Sequence, residues 1–149
     1  MKDSEKTTVS GVHLWLITLK AFHSIATSVG ARLRKSGLGD SDFRVLEVLL
    51  HKGPMPVNAI GPKVFLTPGS ISVAVDRLHE RGLVSRVDCP NDRRVRTVDL
   101  TVKGRRLIGR VFEEHTAHLE ELASELTPAE RVCLAEGLKK LGKKASQER

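Results

Sequence analysis

"LTPGSISVAVDRLHERGLVSR", Leu66 to Arg86, is the stretch on which the reading of the fold turns. Thr67-Pro68 is a helix start: a hydroxyl at the N-cap, then a proline at the first helical position, where its missing N–H is not needed. Ile71, Val75 and Leu78 recur at steps of three and four and make one inward stripe. The helix is expected to run to Arg81, with Gly82 closing it. At about 100° per residue the opposite side carries Gly69, Ser72, Val73, Asp76, Arg77 and Glu80, with Ser70 at the flank. Small and polar side chains near the start of a helix let its backbone come close to another surface.

Downstream, Leu83 to Asp88 and Val95 to Leu100 read as two strands. Cys89 to Arg94 is expected to be their connection, longer than a tight two-residue turn. From Arg81 to Arg106 there are eight Lys/Arg (81, 86, 93, 94, 96, 103, 105, 106) against three Asp (88, 92, 99), a balance of +5. The whole chain of 149 residues carries only +7, so most of the excess charge is concentrated in this segment, the hairpin together with the residues that flank it.

Upstream, apolar residues from Val12 to Leu33 recur at helical spacing, and Gly37 and Gly39 end that helix. Asp40 or Ser41 is a candidate cap for a helix from Asp42 to His51, with Phe43, Leu46 and Leu50 on its stripe. A third helix, Pro56 to Val64, contains Gly61-Pro62. An interior proline costs about 3 kcal/mol, so this helix is expected to be short or distorted. After Thr101 a long helix extends to about Leu126. Thr127-Pro128-Ala129-Glu130 is a capping box opening a last helix to about Lys144. The expected fold is mainly α with a small β-hairpin. Residues 40–101 form a winged helix-turn-helix, and 1–36 and 102–149 are helices for dimerisation.

The composition narrows the function. A basic chain suits an acidic partner. Four Phe, one Trp and no Tyr leave few rings for stacking single-stranded bases, so a duplex is preferred. The first residues, MKDSEKTTVSG, lack the apolar core of a signal peptide, and no apolar run approaches the roughly 18 residues of a membrane span; a cytoplasmic protein is expected. No phosphate-cradling glycine loop, Gly-x-Ser-x-Gly or His-Glu-x-x-His occurs, and no catalytic residues or cofactor are expected.

Two short helices, the second sharply capped, make a helix-turn-helix whose second helix fits a DNA major groove. Ser70 and Ser72 can hydrogen-bond base edges, Val73 can touch a thymine methyl, and Arg77 can reach a guanine or a phosphate. A charged hairpin behind such a helix is a wing; Arg86, Arg93, Arg94 and Arg96 then become DNA-binding candidates, with guanidinium groups suited to a narrow minor groove. The alternatives are a plain capped surface helix and a solvated hairpin whose arginines pair with Asp88, Asp92 and Asp99.

With the quoted stretch, "NDRRVRTVDLTVKGRRLI" from Asn91 to Ile108 completes a pattern. Recognition helix, Arg-Gly-Leu-Val junction, Asp-Arg-Arg wing and Leu-Thr-x-x-Gly exit resemble the MarR (multiple-antibiotic-resistance regulator) family of winged-helix transcription factors, over nearly the whole chain. Gly61-Pro62 departs from the usual Ala-rich third helix. The resemblance implies a homodimer with intertwined terminal helices, each subunit offering one winged helix to half of a palindromic site. It implies that Asp92 braces the wing and that Arg94, or else Arg93, enters the minor groove. It further implies repression relieved by a small phenolic or other lipophilic ligand or by thiol oxidation.

For the switch, Cys89 at the wing base lies beside arginines that favour a reactive thiolate. Cys133 is expected to be buried and inert. His115 and His118 with Glu114 and Glu121 have helical metal-site spacing, but a packed His115 is the preferred reading and no metal is expected. Trp15, Phe22, His23, Phe43 and Leu46 are candidates for a ligand cleft between the first helix and the DNA-binding segment. Besides the redox-sensing repressor, a winged-helix protein-interaction module that reads no DNA stands as a further alternative.

Overall fold

A computed structural model of the protein describes residues 9–89 and 92–148; for Cys89, Arg93, Arg94 and Val95 it describes the backbone alone. The elements are α1 (Gly11–Lys35), α2 (Asp40–Lys52), β1 (Met55–Pro56), α3 (Val57–Val64), α4 (Pro68–Glu80), β2 (Val84–Cys89), β3 (Asp92–Leu100), α5 (Val102–Ala123) and α6 (Pro128–Ser146). The chain divides into two compact units, one reaching to Val111 and the other beginning at Phe112.

Within the first unit the caps that the sequence announces are found, with one exception. Thr67 accepts from the Ser70 N–H at 3.2 Å, and Gly82, at φ 69°, lets the chain leave α4 through the left-handed region. Neither Asp40 nor Ser41 caps α2. The N-cap is Gly39, without a side-chain bond, and both residues lie in the first turn, where Asp40 and Asp42 instead complement the helix dipole. The α2 stripe is also wider than expected. Asp42, Val45, Val48 and Leu49 are buried beside Phe43 and Leu46, whereas Leu50 is only half-buried. The reason is that α2 has neighbours on several sides, including α3, α4 and β3.

Ile71, Ala74, Val75 and Leu78 bury the inner face of α4. They join Ile60, Val64, Leu83 and Val98 in one core. α3 is short, as expected, yet helical throughout. Pro62 is its sixth residue, so only the single bond its N–H would have sent to Asn58 is forfeited. Gly61 is buried, and a Cβ there would stand 3.0 Å from the Leu66 carbonyl oxygen.

The sheet exceeds a hairpin. β1 pairs antiparallel with β3 (Met55 with Val98, Pro56 with Thr97), giving the order β1-β3-β2. Pro56 is tolerated because β1 is an edge. A two-residue strand has no periodicity to betray it. The β2–β3 connection is shorter than expected: Cys89 pairs with Asp92, with a register shift between Asp88 and Cys89.

The Leu-Thr-x-x-Gly exit fastens the sheet's end to the end of α4. The Thr101 hydroxyl donates to the Gly82 carbonyl at 2.7 Å and accepts from the Gly104 N–H at 3.0 Å, while the Thr101 N–H donates to the Leu83 carbonyl. Gly104 is required by this approach, since a Cβ would lie 1.9 Å from the Leu83 oxygen.

In the second unit, Thr127 and Glu130 form the expected capping box, the Glu130 carboxylate accepting from the Thr127 N–H at 2.8 Å. Arg131 donates to the Glu120 carboxylate and to the Ala123 carbonyl, holding the turn between α5 and α6. Among the described residues no helix is long and apolar enough to cross a membrane.

Candidate nucleic-acid interface

α4 presents the outward face derived from its period: Ser70, Ser72, Val73, Asp76, Arg77 and Glu80 are all exposed. The serines are not idle rotors. Thr67 donates its hydroxyl hydrogen to Ser70 Oγ, and Ser72 Oγ donates to the Pro68 carbonyl at 3.0 Å. Each oxygen keeps acceptor capacity turned to solvent.

Arg77 is placed differently from the expectation that it reaches a base or a phosphate. Its Nε lies 3.0 Å from both carboxylate oxygens of Asp42, and Nη2 donates to the same carboxylate. Asp42 is 2% exposed, and Arg81 stands 3.6 Å from its other oxygen. The hydrogen bond to Asp42 raises the Arg77 pKa above its usual value; burial opposes this, and the Asp42 charge adds a smaller upward part. The buried carboxylate is therefore answered by two guanidiniums from α4 and its C-cap, which fix the rotation of α4 on α2. Nothing local to either residue signals this pairing, because the partners are 35 positions apart.

Arg86 on β2 is half-buried and pairs with Asp76 on the exposed face of α4. It ties strand to helix. Arg96 faces Asp88 across the ladder at 3.6 Å, with both side chains mostly exposed, so that contact is weak and readily exchanged. Asp99 accepts from the Leu100 N–H. Asp92 is exposed at the start of β3. The side chains of Cys89, Arg93 and Arg94 lie outside the described residues.

A groove of about 460 Å³ runs between β1–α3 and the start of α4, and its lining includes Pro56, Asn58, Pro62 and Pro68 together with Ser72 and Arg96. One residue of the outward face of α4, Ser72, and one of the wing, Arg96, thus line the same concavity.

The other site candidates are not gathered in this way. Phe43 and Leu46 are buried in the core, while Trp15 and Phe22 are 63% and 64% exposed and His23 is exposed too. Of the α1 stripe, only Leu33 is buried. Cys133, expected to be buried, is exposed along with Val132 and Leu134 on α6. His118 rather than His115 is the buried histidine of α5. Among the described residues no group of three metal-ligating side chains forms.

Comparison with known proteins follows the same outline. The sequence profile of the MarR family matches residues 36–95. A curated relative named HTH-type transcriptional regulator MhqR, from Bacillus subtilis (strain 168), is 36% identical over 140 residues, spanning 94% of this chain and 97% of its own. The solved structure of the transcriptional regulator BldR from Sulfolobus solfataricus is 27% identical at a TM-score of 0.76, covering 97% of this chain and 99% of its own. That of AbsC, a MarR family transcriptional regulator from Streptomyces coelicolor, reaches 0.82 at 20% identity and covers 95% of this chain and 99% of its own, a likeness of fold.

Proposed function

The chain belongs to the MarR family and is a DNA-binding transcriptional regulator with a winged helix-turn-helix, and we propose that it acts as a homodimeric repressor reading a palindromic operator. In this reading α4 enters the major groove with Ser70, Ser72 and Val73 toward the bases. Arg94, or Arg93 beside it, reaches the adjacent minor groove from a wing braced by Asp92, and Arg96 contacts the backbone. The observation that carries it is the shared groove, where Ser72 and Arg96 line one concave surface. Arg77 and Arg86 serve by holding the helix: one on Asp42, the other from the wing to Asp76.

Dimerisation is supported by apolar surface left bare. Val12, Trp15, Leu16, Leu19 and Phe22 of α1 are exposed, and so are Val132, Leu134, Leu138 and Leu141 of α6. Patches of this size on a lone chain mark an interface. A symmetric pair would present two wings to half-sites about ten base pairs apart. Release by a small lipophilic or phenolic ligand is carried by the family resemblance alone; Trp15, Phe22 and His23 would line its cleft once a second copy covers α1.

The test is titration of the duplex upstream of the gene across a range of salt. The wild type is expected to footprint a palindrome, and Arg94→Ala to weaken binding; if Arg94 contacts a phosphate, the salt slope should also fall by about 1. Absence of duplex binding at low salt would instead favour a protein-interaction module.

A further inference from the structure

Phe65 is the one non-glycine among the described residues with positive φ: φ 56°, ψ 40°. It stands in the turn between the two helices of the helix-turn-helix, two positions before the Thr67 cap, and its side chain is 90% exposed. Both features oppose stability. A bulky side chain in the left-handed region is strained, and a glycine or asparagine is usual where a helix ends this way. An exposed phenyl ring forfeits what burial would contribute.

The turn is held in this state from several sides. The Phe65 and Leu66 N–H groups both donate to the Gly61 carbonyl. The Val64 carbonyl accepts from Arg44 of α2 at 3.2 Å. Val64 and Leu66 on either side are turned toward the protein, buried and half-buried. A left-handed residue is a common way to end a helix; what is uncommon here is that a bulky, exposed ring occupies the position instead of glycine or asparagine.

Resting on the reading above, we propose that Phe65 is a DNA-contacting residue whose ring rests on the apolar edge of the major groove, against a deoxyribose face or a thymine methyl, beside the first turn of α4. Its surroundings favour a duplex over a protein. Pro62, Lys63, Thr67, Pro68 and Ser70 nearby in sequence are exposed and largely small or polar. Among the described residues from 26 to 72 it is the one large apolar side chain exposed, unlike the contiguous apolar stripe of α1. A large apolar ring with a lysine, two hydroxyls and two prolines nearby in sequence matches a surface that alternates phosphate, sugar and methyl.

The experiment compares wild type with Phe65→Asn, since asparagine accepts the left-handed conformation and removes the ring. The expected result is operator affinity lowered about tenfold, an unchanged salt slope because no phosphate contact is lost, and a melting temperature equal to or above wild type. Replacing thymine by uracil along the operator distinguishes the two sources. A methyl contact costs the wild type affinity at one position per half-site and costs Phe65→Asn nothing there; a sugar contact leaves both indifferent. Wild-type affinity in Phe65→Asn overturns the proposal, and so does a variant that loosens self-association without DNA. A wild type that binds no duplex overturns the reading beneath it instead.

Discussion

Asp42 and Arg77 show what a single residue can do to a recognition surface. The carboxylate is buried and its oxygens are shared between Nε and Nη2 of one guanidinium, with Arg81 near the second oxygen. Removing a partner from a buried pair leaves an uncompensated charge, but Arg77 is partly exposed and Arg81 remains. Arg77→Ala is therefore expected to cost about 2 kcal/mol, below the usual figure for a fully buried pair. Chemical denaturation measures this, and Arg77→Lys, which cannot bond two oxygens in a plane, should recover only part of it.

Gly104 and Gly109 make a second pair of expectations. An alanine in a helix interior ordinarily stabilises by about 1 kcal/mol over glycine. Gly109 has open space about its Cα, so Gly109→Ala should raise the melting temperature. At Gly104 the added Cβ meets a backbone oxygen at 1.9 Å, which no rotamer relieves; there overpacking wins and Gly104→Ala should destabilise by at least about 2 kcal/mol. Glu130 gives a pH expectation. Hydrogen bonds from the Thr127 backbone, then its hydroxyl, hold the carboxyl below its usual range. A depressed folded pKa means stability that is present above the unfolded pKa and lost as pH falls through the folded one. The stability gap between wild type and Glu130→Ala should thus close on acidification, as melts across the acidic range would register.

At the scale of elements, α4 and the wing were legible because their signals are local. A threonine-proline start, a stripe at 71, 75 and 78, a closing glycine and clustered arginines each lie within a few residues. β1 and the true width of the α2 face were not, because a two-residue strand and a helix with neighbours on several sides acquire their roles from partners distant in sequence. The wing makes its own prediction. The Arg96–Asp88 contact is exposed on both sides, so Arg96→Ala should leave the melting temperature nearly unchanged. If Arg96 contacts the DNA backbone it should still lower operator affinity and reduce the salt slope by about 1. A lowered melting temperature with unaltered slope would make the residue a hairpin brace.

For the molecule as a whole, the bare stripe on α1 is the deciding feature. Trp15 and Phe22 sit at helical spacing on it, two-thirds exposed. The proposed dimer predicts twice the chain mass in light scattering at micromolar concentration, and a single chain mass for Trp15→Asp combined with Phe22→Asp. Operator binding by the double variant should fall steeply, since two half-sites can no longer be engaged together.

The amino-acid sequence alone determined where most helices begin and end to within a few residues, which face of α4 looks outward and where positive charge collects, because caps, periods and charge runs act over a few residues. Only the tertiary structure decided that Arg77 turns to Asp42, that the α1 stripe is exposed except at Leu33, that a third strand joins the hairpin, and that Phe65 is held in a left-handed turn with its ring in solvent. Those outcomes depend on which distant segments meet when the chain closes on itself, and a pairing across tens of residues leaves no mark in either partner's neighbourhood.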